Sequence, residues 1–222
     1  MTQSKADIVG HYGPFPGADN VAGVAFDGTR VWFASAQGLR AFDPETGEIG
    51  AELPKLADAG TTFDGTYLYQ IAELTIRKID PSSGEIVREI PTPGDDGASG
   101  LAWAEGSLWV GKHRGKKIHR VDPDTGEILG TIESDRFVTG VCWVGAELWH
   151  GTWQDERSDL RRVDPRSGAV LECLEMPRGA VVSGLDSDGE GRFFCGGGPE
   201  GGVRAVRLPR AQPGDRGAAA TS

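Results

Sequence analysis

Residues Gly140–Gly168 read G-V-C-W-V-G-A-E-L-W-H-G-T-W-Q-D-E-R-S-D-L-R-R-V-D-P-R-S-G, and this is one copy of a unit that recurs along the chain. Aligned on its opening glycine, the unit starts at Gly23, Gly60, Gly100, Gly140 and Gly184, with spacings of 37, 40, 40 and 44 residues. Nine residues after each glycine stands an aromatic: Trp32, Tyr69, Trp109, Trp149 and Phe193. Four units then carry Asp-Pro-x-Thr/Ser-Gly, at Asp43–Gly47, Asp80–Gly84, Asp122–Gly126 and Asp164–Gly168. In that turn Pro presets φ, Asp accepts from the backbone ahead, and Gly takes the left-handed position. These aspartates therefore read as structural.

Each unit divides into four short apolar strands. The first two are joined by a tight turn such as Asp27-Gly28, Asp64-Gly65, Glu105-Gly106 or Asp188-Gly189. Four-stranded units of about 40 residues are propeller blades. The fifth unit ends at its third strand, Val203-Arg204-Ala205-Val206, and Asp7–Tyr12 resembles the fourth strands elsewhere. The expectation is an all-β, five-bladed β-propeller of four-stranded blades, its ring closed by this N-terminal strand. It spans residues 1–209 as a single domain. The small, polar segment 210–222 reads as a disordered tail.

Composition narrows the function classes. The chain has 222 residues with 34 Gly and 13 Pro, spread over turns as many short strands require. Its net charge of −10 repels phosphate backbones and argues against nucleic acid as a partner. No apolar run is long enough for a membrane span or a secretory signal, so a cytoplasmic location is expected. Cys142, Cys173 and Cys195 are odd in number and widely spaced, which argues against a disulfide framework. Cys195, followed by three glycines, is the one to watch as a reactive thiol. Nothing in the sequence selects an oligomeric state.

The blade pattern, G-[V/L]-A-[F/W]-x-x-G-x-L-W followed by I-x-R-[I/V]-D-P-x-T-G-E-I, resembles that of streptogramin B lyases and of plant-type glutamine cyclotransferases. The resemblance covers residues 7–208. It implies a propeller; the cyclotransferases are five-bladed, as the count here is, whereas the lyases are seven-bladed. It also implies lyase- or cyclase-like chemistry. The lyases' catalytic Glu-x-His pair is absent here. Leu68-Tyr69-Gln70 and Thr152-Trp153 resemble parts of a cyclotransferase motif, split over two blades.

In propellers of this kind the first strands line the channel, and the loops from second to third strand share a face with the lead-in to the first. Those loops lengthen in units three, four and five, and extra loop on a rigid scaffold is where function concentrates. Glu73, His113 and Trp153 share one offset in their units; Gln70 and His150 share another. Equivalent offsets are expected to converge on the axis. Glu73, His113 and His150 are the candidate catalytic acids and bases. Asn20, Gln70, Lys112, Arg136 and Trp153 are the candidate substrate-binding residues. Lys112, Arg114, Lys116 and Lys117, with Arg136, Arg157, Arg161 and Arg162 beyond, suggest an anion-seeking mouth suited to a carboxylate. The residues before the opening glycines, Ala22, Ala59, Ser99, Thr139 and Ser183, are small, as a narrow channel requires. No metal spacing or phosphate loop is present, so neither metal nor cofactor is expected. The function expected is acid–base chemistry on a small molecule at the mouth. The alternative is a non-catalytic propeller that binds a protein or a small ligand, with Trp153–Asp159 as its contact surface.

Overall fold

A computed structural model describes residues 1–209. The expected tail from residue 210 lies outside the described residues. The chain opens with β1 (Thr2–Lys5) and β2 (Ile8–Tyr12). Blade one is β3 (Gly23–Phe26), β4 (Val31–Ser35), β5 (Gly38–Phe42) and β6 (Ile49–Leu53). Blade two is β7 (Thr61–Phe63), β8 (Leu68–Ala72), β9 (Thr75–Ile79) and β10 (Ile86–Pro91). Blade three is β11 (Leu101–Ala104), β12 (Ser107–Lys112), β13 (Lys117–Val121) and β14 (Ile128–Glu133). Blade four is β15 (Phe137–Val144), β16 (Glu147–Gln154), β17 (Arg157–Val163) and β18 (Val170–Glu175). Blade five is β19 (Leu185–Ser187), β20 (Arg192–Gly196) and β21 (Val203–Arg207), completed by β2. The inner strands β3, β7, β11, β15 and β19 touch in a closed cycle, so the five sheets form a five-bladed propeller.

The N-terminal closure is as the sequence implies. β2 pairs antiparallel with β21, Tyr12 opposite Val203. A one-residue register shift separates third and fourth strands in every blade, and β2 carries it too. The equivalence of β2 to the other fourth strands thus extends to a local irregularity that twists the edge. β1 was not anticipated. It runs parallel to β18 as a fifth strand on blade four, with Gln3 opposite Cys173.

The repeated residues each have a mechanical task. The opening glycines form a ring at the channel. A Cβ on Gly23, Gly60, Gly100, Gly140 or Gly184 would sit under 3.0 Å from backbone of the next blade. Each glycine is therefore needed for close approach, and together they shut the channel at that level. The core aromatics are buried between blades: Trp109 lies 5.1 Å from Trp143 of blade four, and Trp149 lies 5.0 Å from Phe193 of blade five. Such aromatic pairs pack neighbouring sheets together, alongside aliphatic side chains. In the Asp-Pro turns, Asp43, Asp80, Asp122 and Asp164 each accept from the two backbone N–H groups that lie two and three residues ahead. The turn glycines have φ between 71° and 79°. Cys195 is fully buried and its thiol is pushed up to about 12 by that burial, so it is not a reactive nucleophile.

Candidate functional site: a blind cup at the channel mouth

Above the glycine ring the channel widens into a cup of about 380 Å3. Below it, Val24, Gly60, Leu101, Gly140, Val141 and Leu185 leave no room for a water. The cup is therefore blind. All five small residues named from the sequence, Ala22, Ala59, Ser99, Thr139 and Ser183, form its wall. Three of the candidate site residues join them: Asn20, His113 and Trp153.

His113 lies just beyond β12. Its ring stacks on Phe137 at 4.9 Å, and Nδ1 lies 3.2 Å from the Val138 carbonyl. A carbonyl only accepts, so Nδ1 carries a proton, and Nε2 is the ring nitrogen left without a partner among the described residues. Trp153 sits on β16, paired with Phe137 on one side and Ser158 on the other. The insertion that distinguishes this unit is therefore not a loose loop. It extends the hairpin, with β15 and β16 each eight residues long. The turn between β16 and β17 is only Asp155-Glu156, both at positive φ (53° and 59°), as a tight two-residue hairpin connection requires. Trp153 is held by a sheet, not by a flexible segment.

The Thr139 hydroxyl is turned into the wall, toward Gly151 of β16. The residue is 7% exposed, and Oγ1 has no hydrogen-bond partner among the described residues. A buried hydroxyl left unpaired is costly unless a ligand or water completes it. Ser99 donates to the Val138 carbonyl at 2.9 Å, which fixes the same strand that orients His113.

The remaining candidates lie elsewhere. Glu73 is exposed in the two-residue turn after β8, with φ 58°, and does not line the cup. The carboxylate there is Asp58, which accepts the Glu73 N–H at 3.1 Å. A signal for Asp58 existed: two residues before the opening glycines stand Val21, Asp58, Ala98, Val138 and Val182. One acid in a column of apolar residues is a departure that scaffold does not require.

Gln70 and His150 share an offset but do not converge on the axis. The second strands are buried on both faces, so polar side chains there end inside the scaffold. Gln70 accepts from Thr61 Oγ1 at 2.5 Å and donates to the carbonyls of Ile71 at 2.6 Å and Ala59 at 3.1 Å, leaving it nothing to offer a ligand. His150 is 2% exposed and faces a small void with Ile118, Ile132 and Asp135, between blades three and four. Burial pulls its pKa down to about 4, partly opposed by its bond to the Gly151 carbonyl.

Lys112 and Arg136 are not at the cup either. Lys112 is buried, ion-paired with Asp96, and donates to the Pro93 carbonyl at 2.6 Å. It clamps the link into blade three, as Arg40 does through Pro16 and Arg204 does through Val181 in their own blades. Arg136 pairs with Asp159 at 3.1 Å on the flank of blade four. Among the described residues no lysine or arginine lines the cup. The mouth has a largely apolar wall set with a few polar groups and one carboxylate, and it is not anion-seeking.

The crystal structure of Myxococcus xanthus glutaminyl cyclase superposes with a TM-score of 0.74, covering 94% of this chain and 99% of that one. The two share a fold. Their identity is 19%, so the likeness speaks to architecture. It also agrees with the five blades counted here and sets the chain apart from a seven-bladed lyase ring. No protein-family model matches the sequence, and no curated protein matches it.

Proposed function

We propose that the cup is the active site of a cyclase acting on a small substrate that carries a free amine and a carboxamide. The observation that carries this reading is His113: its Nδ1 is tied to Val138 and its Nε2 has no partner among the described residues, in a cavity closed at the base. Asp58, the acid of the cup, suits an ammonium group arriving from solution. Once neutral, the amine attacks the carboxamide carbon. Nε2 of His113 takes the proton that nitrogen sheds as the C–N bond forms. It returns that proton to the amide nitrogen, whose bond to carbon breaks, so that ammonia leaves and a lactam remains. The Trp153 indole N–H is the donor suited to the oxygen of the tetrahedral intermediate. The Lys112 and Arg136 placements remove the support for a carboxylate-seeking mouth and shift the reading to an amine. The likeness to a glutaminyl cyclase makes an N-terminal glutaminyl peptide the first substrate to try. The full chain should release ammonia from such a peptide with a free amine and none from its N-acetylated form. Absence of ammonia from the free-amine peptide would remove this substrate, and equal release from both would remove the mechanism.

A further inference from the structure

A second cavity of about 350 Å3 opens on the flank of blade four, and it shares no lining residue with the cup. Three of the arginines that the sequence suggested for an anion gather here, joined by Arg178. Arg136, Arg157, Arg161 and Arg178 all line it. Its floor is buried, with Ser158, Asp159 and Arg161 each under a tenth exposed.

The floor is a finished network. Asp159 accepts from Arg161 Nε at 2.9 Å, from Arg136 at 3.1 Å and from the Thr152 hydroxyl at 2.6 Å. Asp135 takes a further nitrogen of Arg161. Two cations and two carboxylates make that network neutral, and they fix both guanidiniums in place before any ligand arrives. Arg157 and Arg178 are different. Both are exposed at the rim, and neither has an acidic partner among the described residues. The rim also holds Glu175, already engaged by the Gln3 amide at 2.5 Å. The balance is one positive charge in excess, in a chain of net charge −10.

We propose that this cavity binds a small doubly charged oxyanion, a phosphate monoester or a dicarboxylate, held by Arg157 and Arg178 above the pre-ordered Arg136–Arg161 floor. Guanidinium forks match both oxyanions in geometry, and the fixed floor spares the ligand part of the ordering cost. This site stands apart from the cup and does not depend on the cyclase reading.

The test is calorimetric titration of the full chain with glycerol phosphate and, separately, with succinate, at constant ionic strength set by chloride. One of the two should bind with one-to-one stoichiometry, and which one binds identifies the ligand class. Arg157→Ala and Arg178→Ala should each weaken it by about tenfold, as loss of a charge-assisted hydrogen bond does. Both side chains are exposed, so unchanged melting temperatures are expected and verify folding. His113→Ala should leave binding intact, which keeps this test separate from that of the cup. The proposal falls if neither dianion binds, or if the Arg157→Ala/Arg178→Ala double variant binds as the parent does.

Discussion

Two inner ionisable residues give the protein opposite responses to pH. His150 is buried as a neutral ring, with its pKa pulled down to about 4 from 6.5. The unfolded chain therefore takes up a proton first as pH falls. The stability owed to the neutral ring is whole above pH 6.5 and is lost as pH drops through 4, to the extent of about 3 kcal/mol. Asp186 on β19 works the other way. Burial pushes it up to about 7, although it accepts the Phe26 N–H of blade one at 2.7 Å. Its contribution is whole below the unfolded carboxylate range and is lost as pH rises through 7. Melting temperatures from pH 4 to 8 should separate the two. His150→Gln should flatten the acid limb. Asp186→Asn should gain on the parent as pH rises, with the widest gap above 7. Cys195 offers a third check at this scale: a thiol reagent should leave it unmodified until the protein unfolds.

At the scale of elements, the inner ring and the two N-terminal strands carry separable loads. Gly140 faces Leu185 so closely that an added Cβ would lie 2.7 Å from its backbone nitrogen. Gly140→Ala should cost about 1–3 kcal/mol, read by urea denaturation, because both partners are backbone held by their own sheets. β1 and β2 predict a contrast between truncations. Removing residues 1–5 strips an exposed fifth strand and should leave the melting temperature near that of the full chain. Removing residues 1–12 also strips the fourth strand of blade five and bares β21, and it should lower the melting temperature sharply. These elements were legible in the sequence to different degrees. The glycines, aromatics and Asp-Pro turns repeat because five blades meet the same steric demand, and demand met five times leaves a periodic trace. β2 was legible as the missing member of that series. β1 repeats nothing, so no pattern announced it. The unit-four insertion was legible in length but not in form, since extra residues extend a hairpin or loosen a loop with equal economy of sequence.

At the scale of the whole molecule, the propeller converts five apolar sheets into one closed floor and one cup that carries a few polar groups. The sequence disclosed the wall of that cup through the small residues before each glycine, and His113 and Trp153 through the added length of units three and four. It misdirected on Gln70 and His150 because a shared offset means a shared place in each blade, and the second strand's place is between sheets. It misdirected on Glu73 because a two-residue turn is too short to reach the axis, leaving Asp58 as the acid there. The positive residues looked like one patch along the chain. In space they divide into a clamp at Lys112 and a flank cavity at Arg136, Arg157 and Arg161. One histidine, held by the Val138 carbonyl over a blind cup, is proposed as the base of a cyclisation. Ammonia release from an N-terminal glutaminyl peptide, measured for the parent, His113→Ala and His150→Ala at matched folded concentration, tests it most directly. A loss of about a hundredfold or more is expected for His113→Ala and near-parent turnover for His150→Ala; turnover that survives His113→Ala unchanged would overturn the assignment of His113.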